Sequence, residues 1–349
     1  MKLKHLIGIV KDKASISKTV LISKPNTTIL LITVLRATTH DPSIPPNQKH
    51  IDTLLAYGHN SSRNTAATCI EGLMDRLHKT HNAFVAFKCL ITIHHILKKG
   101  SFILQDQLSR GSNYLNLSSF HDNSTTESLN MSFWIKWYAR VLESVLLTSR
   151  SLGFFLSSSL TKKNDNRVSN LLDQDLLKEL DILIRLIEEI CKAPDIMNAE
   201  GRKLIHESIS LVDEDKSSVQ SEIMIRVNEL KERVNTVSFV DSVELVSLLT
   251  RYESCREKLS TLFLQRLNSV GERLWVLVEE LREKIGETKP RLEWKAEFSE
   301  SPRFGDGILR RNESVGVASG KLNMVRRQLS QNADSDYKRR SFAMLKTVY

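Results

Sequence analysis

With 349 residues, 41% of them hydrophobic and 26% charged, the chain is globular in composition and long enough to bury one large core or two modest ones without staples. Its four cysteines, Cys69, Cys89, Cys191 and Cys255, form no Cys-x-x-Cys pair, which excludes a local zinc or redox motif and a compact disulfide framework and fits a reducing compartment. The formal net charge of +9 sits in residues 1–100, where 14 Lys and Arg face 5 Asp and Glu; an acidic stretch at 151–250 and a basic one at 301–349 follow, so anionic partners are expected for the two ends only.

The chain opens on Met1-Lys2-Leu3-Lys4-His5-Leu6-Ile7-Gly8-Ile9-Val10-Lys11. The apolar run from Leu6 to Val10 is too short for the core of a secretion signal, and no segment approaches the roughly 20 apolar residues that cross a bilayer. On a helix, Leu3, Leu6, Ile7 and Val10 share one face, with Lys2, Lys4, Lys11 and Lys13 mostly off it. Such a pattern suits an interfacial membrane helix, and equally a helix that docks its apolar face on a core.

Residues 28–35 are apolar enough for a buried helix, the stretch from Asp41 to Pro46 cannot continue it, and Pro46 can open the next helix. Arg36 then lies in the last turns of the first helix, and Lys49 and His50 in the first turn of its successor. Two long cationic side chains and an imidazole can converge there beside a helix N-terminus whose N–H groups also favour anions, a geometry suited to phosphates. The bland reading is that Arg36 satisfies helix-end carbonyls while Lys49 and His50 are merely solvated.

Further along, apolar residues recur at helical spacing in three long stretches: Leu77 to Leu97, Leu172 to Ile190, and Leu259 to Leu281. Only 7 prolines and 13 glycines interrupt the chain, and they fall between such stretches. The expectation is an all-α fold of eight to ten helices, a bundle continuing into an irregular α-solenoid, with a helical domain at 1–286 and a flexible basic tail at 287–349.

Catalytic signals are weak. The run Gly316-Val317-Ala318-Ser319-Gly320-Lys321-Leu322 is one spacer short of a phosphate-binding loop and ends in Leu where Ser or Thr should hold magnesium. His206-Glu207 lacks a second histidine at the zincin spacing, and His94 and His95 point to different faces of a helix. No catalytic set, no metal site and no cofactor is expected, and the chain is read as a non-enzyme.

The stretch Arg36-Ala37-Thr38-Thr39-His40, followed by Lys49-His50, resembles the signature of the ANTH domain of clathrin-assembly adaptors, especially their plant members. Phe87-Lys88-Cys89-Leu90-Ile91-Thr92-Ile93-His94-His95-Ile96-Leu97 and Tyr114-Leu115-Asn116-Leu117-Ser118-Ser119-Phe120-His121-Asp122 look like further family segments, and the resemblance spans residues 1–286. It implies a phosphoinositide-binding membrane adaptor in clathrin-coat assembly, endocytosis and vesicle budding. Arg36, Lys49 and His50 would be the ligands of phosphatidylinositol bisphosphate, and clathrin-coat components and SNARE cargo the partners. The location it implies is cytoplasmic, peripheral on coated pits and vesicles at plasma membrane or Golgi.

This chain departs from the family pattern in a loop one residue longer, and in Asn47 and Gln48 where animal members carry lysines. Both changes remove charge and point to weaker lipid affinity or altered head-group selectivity. The tail lacks Asp-Pro-Phe, Asn-Pro-Phe and clathrin-box peptides; Leu171-Leu172-Asp173-Gln174-Asp175 faintly resembles one, inside an amphipathic helix. The competing readings are a basic helical nucleic-acid-binding protein, disfavoured by the lack of interleaved aromatics, and a generic helical scaffold.

Overall fold

The structure, a computed structural model, describes residues 2–58, 63–110, 115–158, 167–195, 202–263 and 269–288. Of the expected tail, residues 289–349 lie outside the described residues. Among the described residues there are twelve α-helices of seven residues or more and no strand. They are α1 (Lys2–Ile22), α2 (Pro25–Ala37), α3 (Gln48–Ala56), α4 (Arg63–Lys79), α5 (Ala83–Lys99), α6 (Phe102–Arg110) and α7 (Thr126–Leu152); then α8 (Asp173–Ile190), α9 (Arg202–Arg233), α10 (Phe239–Ser254), α11 (Arg256–Leu262) and α12 (Ser269–Thr288).

The all-α expectation holds, while the helix number exceeds the expected eight to ten because two of the apolar stretches are divided. The stretch from Leu77 to Leu97 breaks at residues 80–82, where the Asn82 side chain accepts the Val85 N–H and starts α5 afresh. The stretch from Leu259 to Leu281 breaks after Phe263, which closes α11. Apolar periodicity continues across both breaks because each pair of helices faces the same core.

Helix α5 is the axis of the N-terminal half. Residues 83–97 are buried without exception, because the helix is apolar on every side and is surrounded by α2, α3, α4, α6, α7 and α9. Helix α7 then packs on both α5 and α8, α8 on α9 and α10, and α9 on α12, so that successive helices stack onward from the first bundle. A chain of rings, Phe87, Tyr138, Trp137 and Trp134, runs through the junction at centroid separations of 5.6, 6.2 and 5.3 Å.

His94, Tyr138, Asp215 and Lys98 form a buried polar network at this junction. His94 bonds the Tyr138 hydroxyl through Nδ1 and Asp215 Oδ2 through Nε2, each at 2.8 Å, and Lys98 reaches the other Asp215 oxygen at 3.0 Å. Burial alone would raise the Asp215 pKa, but His94 and Lys98 more than offset it and hold the carboxyl below its ordinary value. His95 is also buried, 3.6 Å from Glu207.

Deeper in the C-terminal half, the fully buried Arg226 joins Glu179 of α8 at 2.6 Å and Glu222 of its own helix at 2.8 Å. Replacing Arg226 with Ala breaks both buried pairs, with Arg167 still holding Glu179, and is expected to destabilise the domain by about 3–5 kcal/mol. Urea unfolding of Arg226→Ala against the parent measures it; a loss under about 1 kcal/mol contradicts the pairing.

Candidate functional site: the basic corner between the second and third helices

Helix α2 ends at Ala37, where the Thr38 N–H and hydroxyl both bond the Val34 carbonyl, at 3.1 and 2.7 Å. The chain then crosses to α3 through Pro42, Pro45 and Pro46. Pro46 does not open α3: Asn47 is the cap, its side chain accepting the Lys49 N–H at 2.9 Å, and Gln48 is the first helical residue. The His50 N–H goes to the Asn47 carbonyl at 2.9 Å. The Lys49 and His50 amides are therefore spent on the cap, and the anion attraction expected from this helix end falls to the side chains instead. Asn47 and Gln48 have structural work: Asn47 caps α3, and Gln48 donates to Asp52 at 2.7 Å.

Arg36, in the last turn of α2, and Lys49, in the first turn of α3, are exposed and have no carboxylate partner among the described residues. His50 is half-buried between them. Its pKa is lowered by burial first, then by the charges of Arg36 and Lys49, so the positive potential of both converges on one imidazole. The structure thus brings together all three residues read from the sequence. The sign for folding follows from a lowered pKa: the stability contributed by His50 is present above the unfolded pKa and declines as pH falls below it.

The residues between Arg36 and Lys49 fix this corner from behind. The His40 N–H donates to Asp12 Oδ2 of α1 at 3.0 Å, and His40 Nδ1 lies 2.6 Å from Asp12 Oδ1. Arg76 of α4 donates to the Thr38 carbonyl at 3.2 Å and stands 3.7 Å from the same carboxylate. Buried Lys88 of α5 donates to the Thr39 hydroxyl at 2.9 Å. Burial lowers its pKa to about 8, opposed by the charges of Asp41 and Asp12. Gly8 faces His40 so closely that a Cβ would stand 2.9 Å from the His40 Cβ, so α1 needs glycine there.

Helix α1 packs through the stripe Gly8, Asp12, Ser15, Ile16 and Thr19. Leu6, Ile7 and Val10 point away, exposed at 56%, 46% and 65%, so the apolar face read from the sequence is not the docked face. Lys11, Lys13 and Lys18 are exposed as well, while the side chains of Lys2, Leu3 and Lys4 lie outside the described residues. No helix of the described residues is long and apolar enough to cross a membrane. The peptide at Leu171 is not free for coat binding as it stands: Leu176 and Leu177 are buried, and Arg233 holds both the Leu171 carbonyl and Asp173.

The sequence model of the ANTH domain matches residues 29–267, from the middle of α2 into the segment after α11. The chain belongs to the ANTH-domain family. It is 48% identical over 267 residues, 73% of both chains, to an Arabidopsis thaliana protein that bears the name putative clathrin assembly protein. A second Arabidopsis thaliana protein of that name is 31% identical over 80% of this chain and 84% of its own. Among solved structures, the ENTH domain from epsin-2 in complex with phosphatidylinositol 4,5-bisphosphate aligns at a TM-score of 0.45 and 19% identity, over 72% of this chain and 94% of that one, too loosely to argue from.

Asp12, Arg76 and Lys88 are the positioning residues that sequence reasoning passed over, the last two within the matched ANTH region. The signals were present: a lone acid in a lysine-rich helix and a lysine inside an apolar run. If Asp12 is the tie that docks α1, Asp12→Ala should loosen that helix by about 1.5–3 kcal/mol, speeding exchange of the α1 amides about ten- to a hundredfold while α5 stays protected. Hydrogen exchange reads this directly, and unchanged α1 protection would remove Asp12 from that role.

Proposed function

We propose that this chain is a phosphoinositide-binding membrane adaptor of clathrin-coat assembly, with Arg36, Lys49 and His50 as the head-group site. The observation that carries this reading is the pair of uncompensated cations, Arg36 and Lys49, facing one half-buried imidazole at a corner braced from three helices. A polyphosphorylated inositol ring supplies the missing counter-charge, and its phosphates take guanidinium and ammonium donors without a deep pocket.

Helix α1 adds a second contact. Its outward residues Leu6, Ile7 and Val10, with Lys11 and Lys13 beside them, suit shallow insertion at an anionic leaflet. The apolar side chains enter the acyl boundary and the lysines stay with the lipid phosphates. The role in coat assembly, at coated pits and vesicles, is supported by the kinship to the named clathrin assembly proteins. Clathrin contact and SNARE cargo follow the family resemblance, and the segments 1–286 and 287–349 are proposed as membrane-binding domain and basic tail.

Each cation near an anionic leaflet contributes about 1 kcal/mol, so reversing two of them weakens binding by more than about tenfold. The double variant Arg36→Glu, Lys49→Glu is expected to lose co-sedimentation with phosphatidylinositol bisphosphate vesicles while melting like the parent, because both heads are exposed. Retained selective binding by a folded double variant would place the site elsewhere. In the same assay Leu6→Asp, Val10→Asp should weaken vesicle binding but leave affinity for a soluble inositol phosphate unchanged, which separates the helix from the head-group site.

A further inference from the structure

Cys191 and Cys255 are 64 residues apart in the sequence, yet the fold puts them side by side. Cys191 follows the last turn of α8 and Cys255 is the single residue between α10 and α11; α8 and α10 are packed neighbours. The Cys191 thiol donates to the Cys255 carbonyl oxygen at 3.8 Å, and the Cys255 thiol donates to the Arg251 carbonyl at 3.5 Å. Neither sulfur is in a disulfide, and both sit in short turns at helix ends rather than inside helices.

We infer that Cys191 and Cys255 form a redox-active dithiol that closes to an intramolecular disulfide under a peroxide oxidant. Two further features favour it. Cys191 is half-buried, so the pair meets solvent through Cys191 although Cys255 itself is buried, whereas Cys69 and Cys89 are both sealed in the core. The two thiols are also electrically unequal. The neighbouring Cys191 thiol lowers the Cys255 pKa, burial and Glu188 oppose this, and Arg251 adds to the lowering. The Cys191 pKa is raised, first by the Cys255 thiol and then by burial and Glu188, with Lys258 opposing. Of the two, Cys255 ionises more readily and is the nucleophile, with its resolving partner beside it. By contrast, burial pushes Cys69 and Cys89 up to about 12.

The chemistry balances with hydrogen peroxide as the oxidant. The Cys255 thiolate attacks one peroxide oxygen, the S–O bond forms as the O–O bond breaks, and the hydroxide released is protonated to water. The Cys191 sulfur then attacks the Cys255 sulfenic acid; the S–S bond forms, the S–O bond breaks, and the hydroxyl leaves as a second water with the Cys191 proton. Two thiols lose two electrons and peroxide becomes two waters. Such bridges in a reducing compartment are transient and sensory rather than structural. This one would tie the end of α8 to the α10–α11 joint and does not involve Arg36, Lys49 or His50, so it stands independently of the lipid site.

The test uses the full chain, reduced, then exposed to hydrogen peroxide under conditions where circular dichroism shows it folded. The expected result is loss of two of the four thiols to maleimide, a mass lower by two hydrogens, and a Cys191–Cys255 linked peptide in a non-reducing digest. The melting temperature should rise, and dithiothreitol should reverse every change. In Cys191→Ser, Cys255 should gain oxygen instead of a bridge. Four intact thiols, sulfenic or sulfinic acid on either cysteine of the parent without a linked peptide, or a bridge formed only after unfolding in urea would each overturn the inference.

Discussion

The Asp12 carboxylate is gripped by His40 from two sides, one oxygen by the backbone N–H and the other by the imidazole, with the Arg76 guanidinium close behind. This contact joins α1 to the corner between α2 and α3, and Lys88 braces the same corner from α5 through Thr39. Four helices therefore meet at Thr38, Thr39 and His40, and none of the bonds among them consumes Arg36 or Lys49. The corner is rigid because its backbone and short side chains are satisfied, which leaves the two long cations standing over it for a ligand.

The same logic explains how charge is distributed. In the C-terminal half, Arg140, Arg167, Arg226, Arg233, Arg251 and Arg282 each hold a carboxylate, and these pairs stitch one helix to another. At the N-terminus, Lys11, Lys13, Lys18, Lys24, Arg36 and Lys49 have no carboxylate partner among the described residues. The local excess of positive charge is thus a field directed outward, acting over about 8–10 Å at ordinary ionic strength, whereas the later charges act inward on the fold.

Much of this was legible in the residues and some was not, for physical reasons. The all-α class follows from apolar spacing, which survives any tertiary arrangement. Arg36, Lys49 and His50 could be brought together on paper because the prolines between them confine the chain to a turn. The breaks at residues 80–82 and after Phe263 were hidden because apolar spacing runs through them, and the capping role of Asn82 depends on one side-chain bond. The sequence left open whether the apolar face of α1 docks, because the face that does dock is a narrow stripe of small and polar residues around Gly8 and Asp12, suited to close approach rather than apolar area. The Cys191–Cys255 contact joins residues on different helices, and no local pattern announces it.

The central claim is that one anion is held jointly by Arg36, Lys49 and His50. His50 reports on it most directly, because its pKa in the free protein is lowered by burial and by the two cations beside it. Titrating the His50 imidazole by NMR, with and without a soluble inositol bisphosphate head group, measures the coupling. The account predicts a midpoint below the ordinary value in the free protein and a clear upward shift when the head group is bound. A His50 titration that the bound head group leaves unmoved would contradict it.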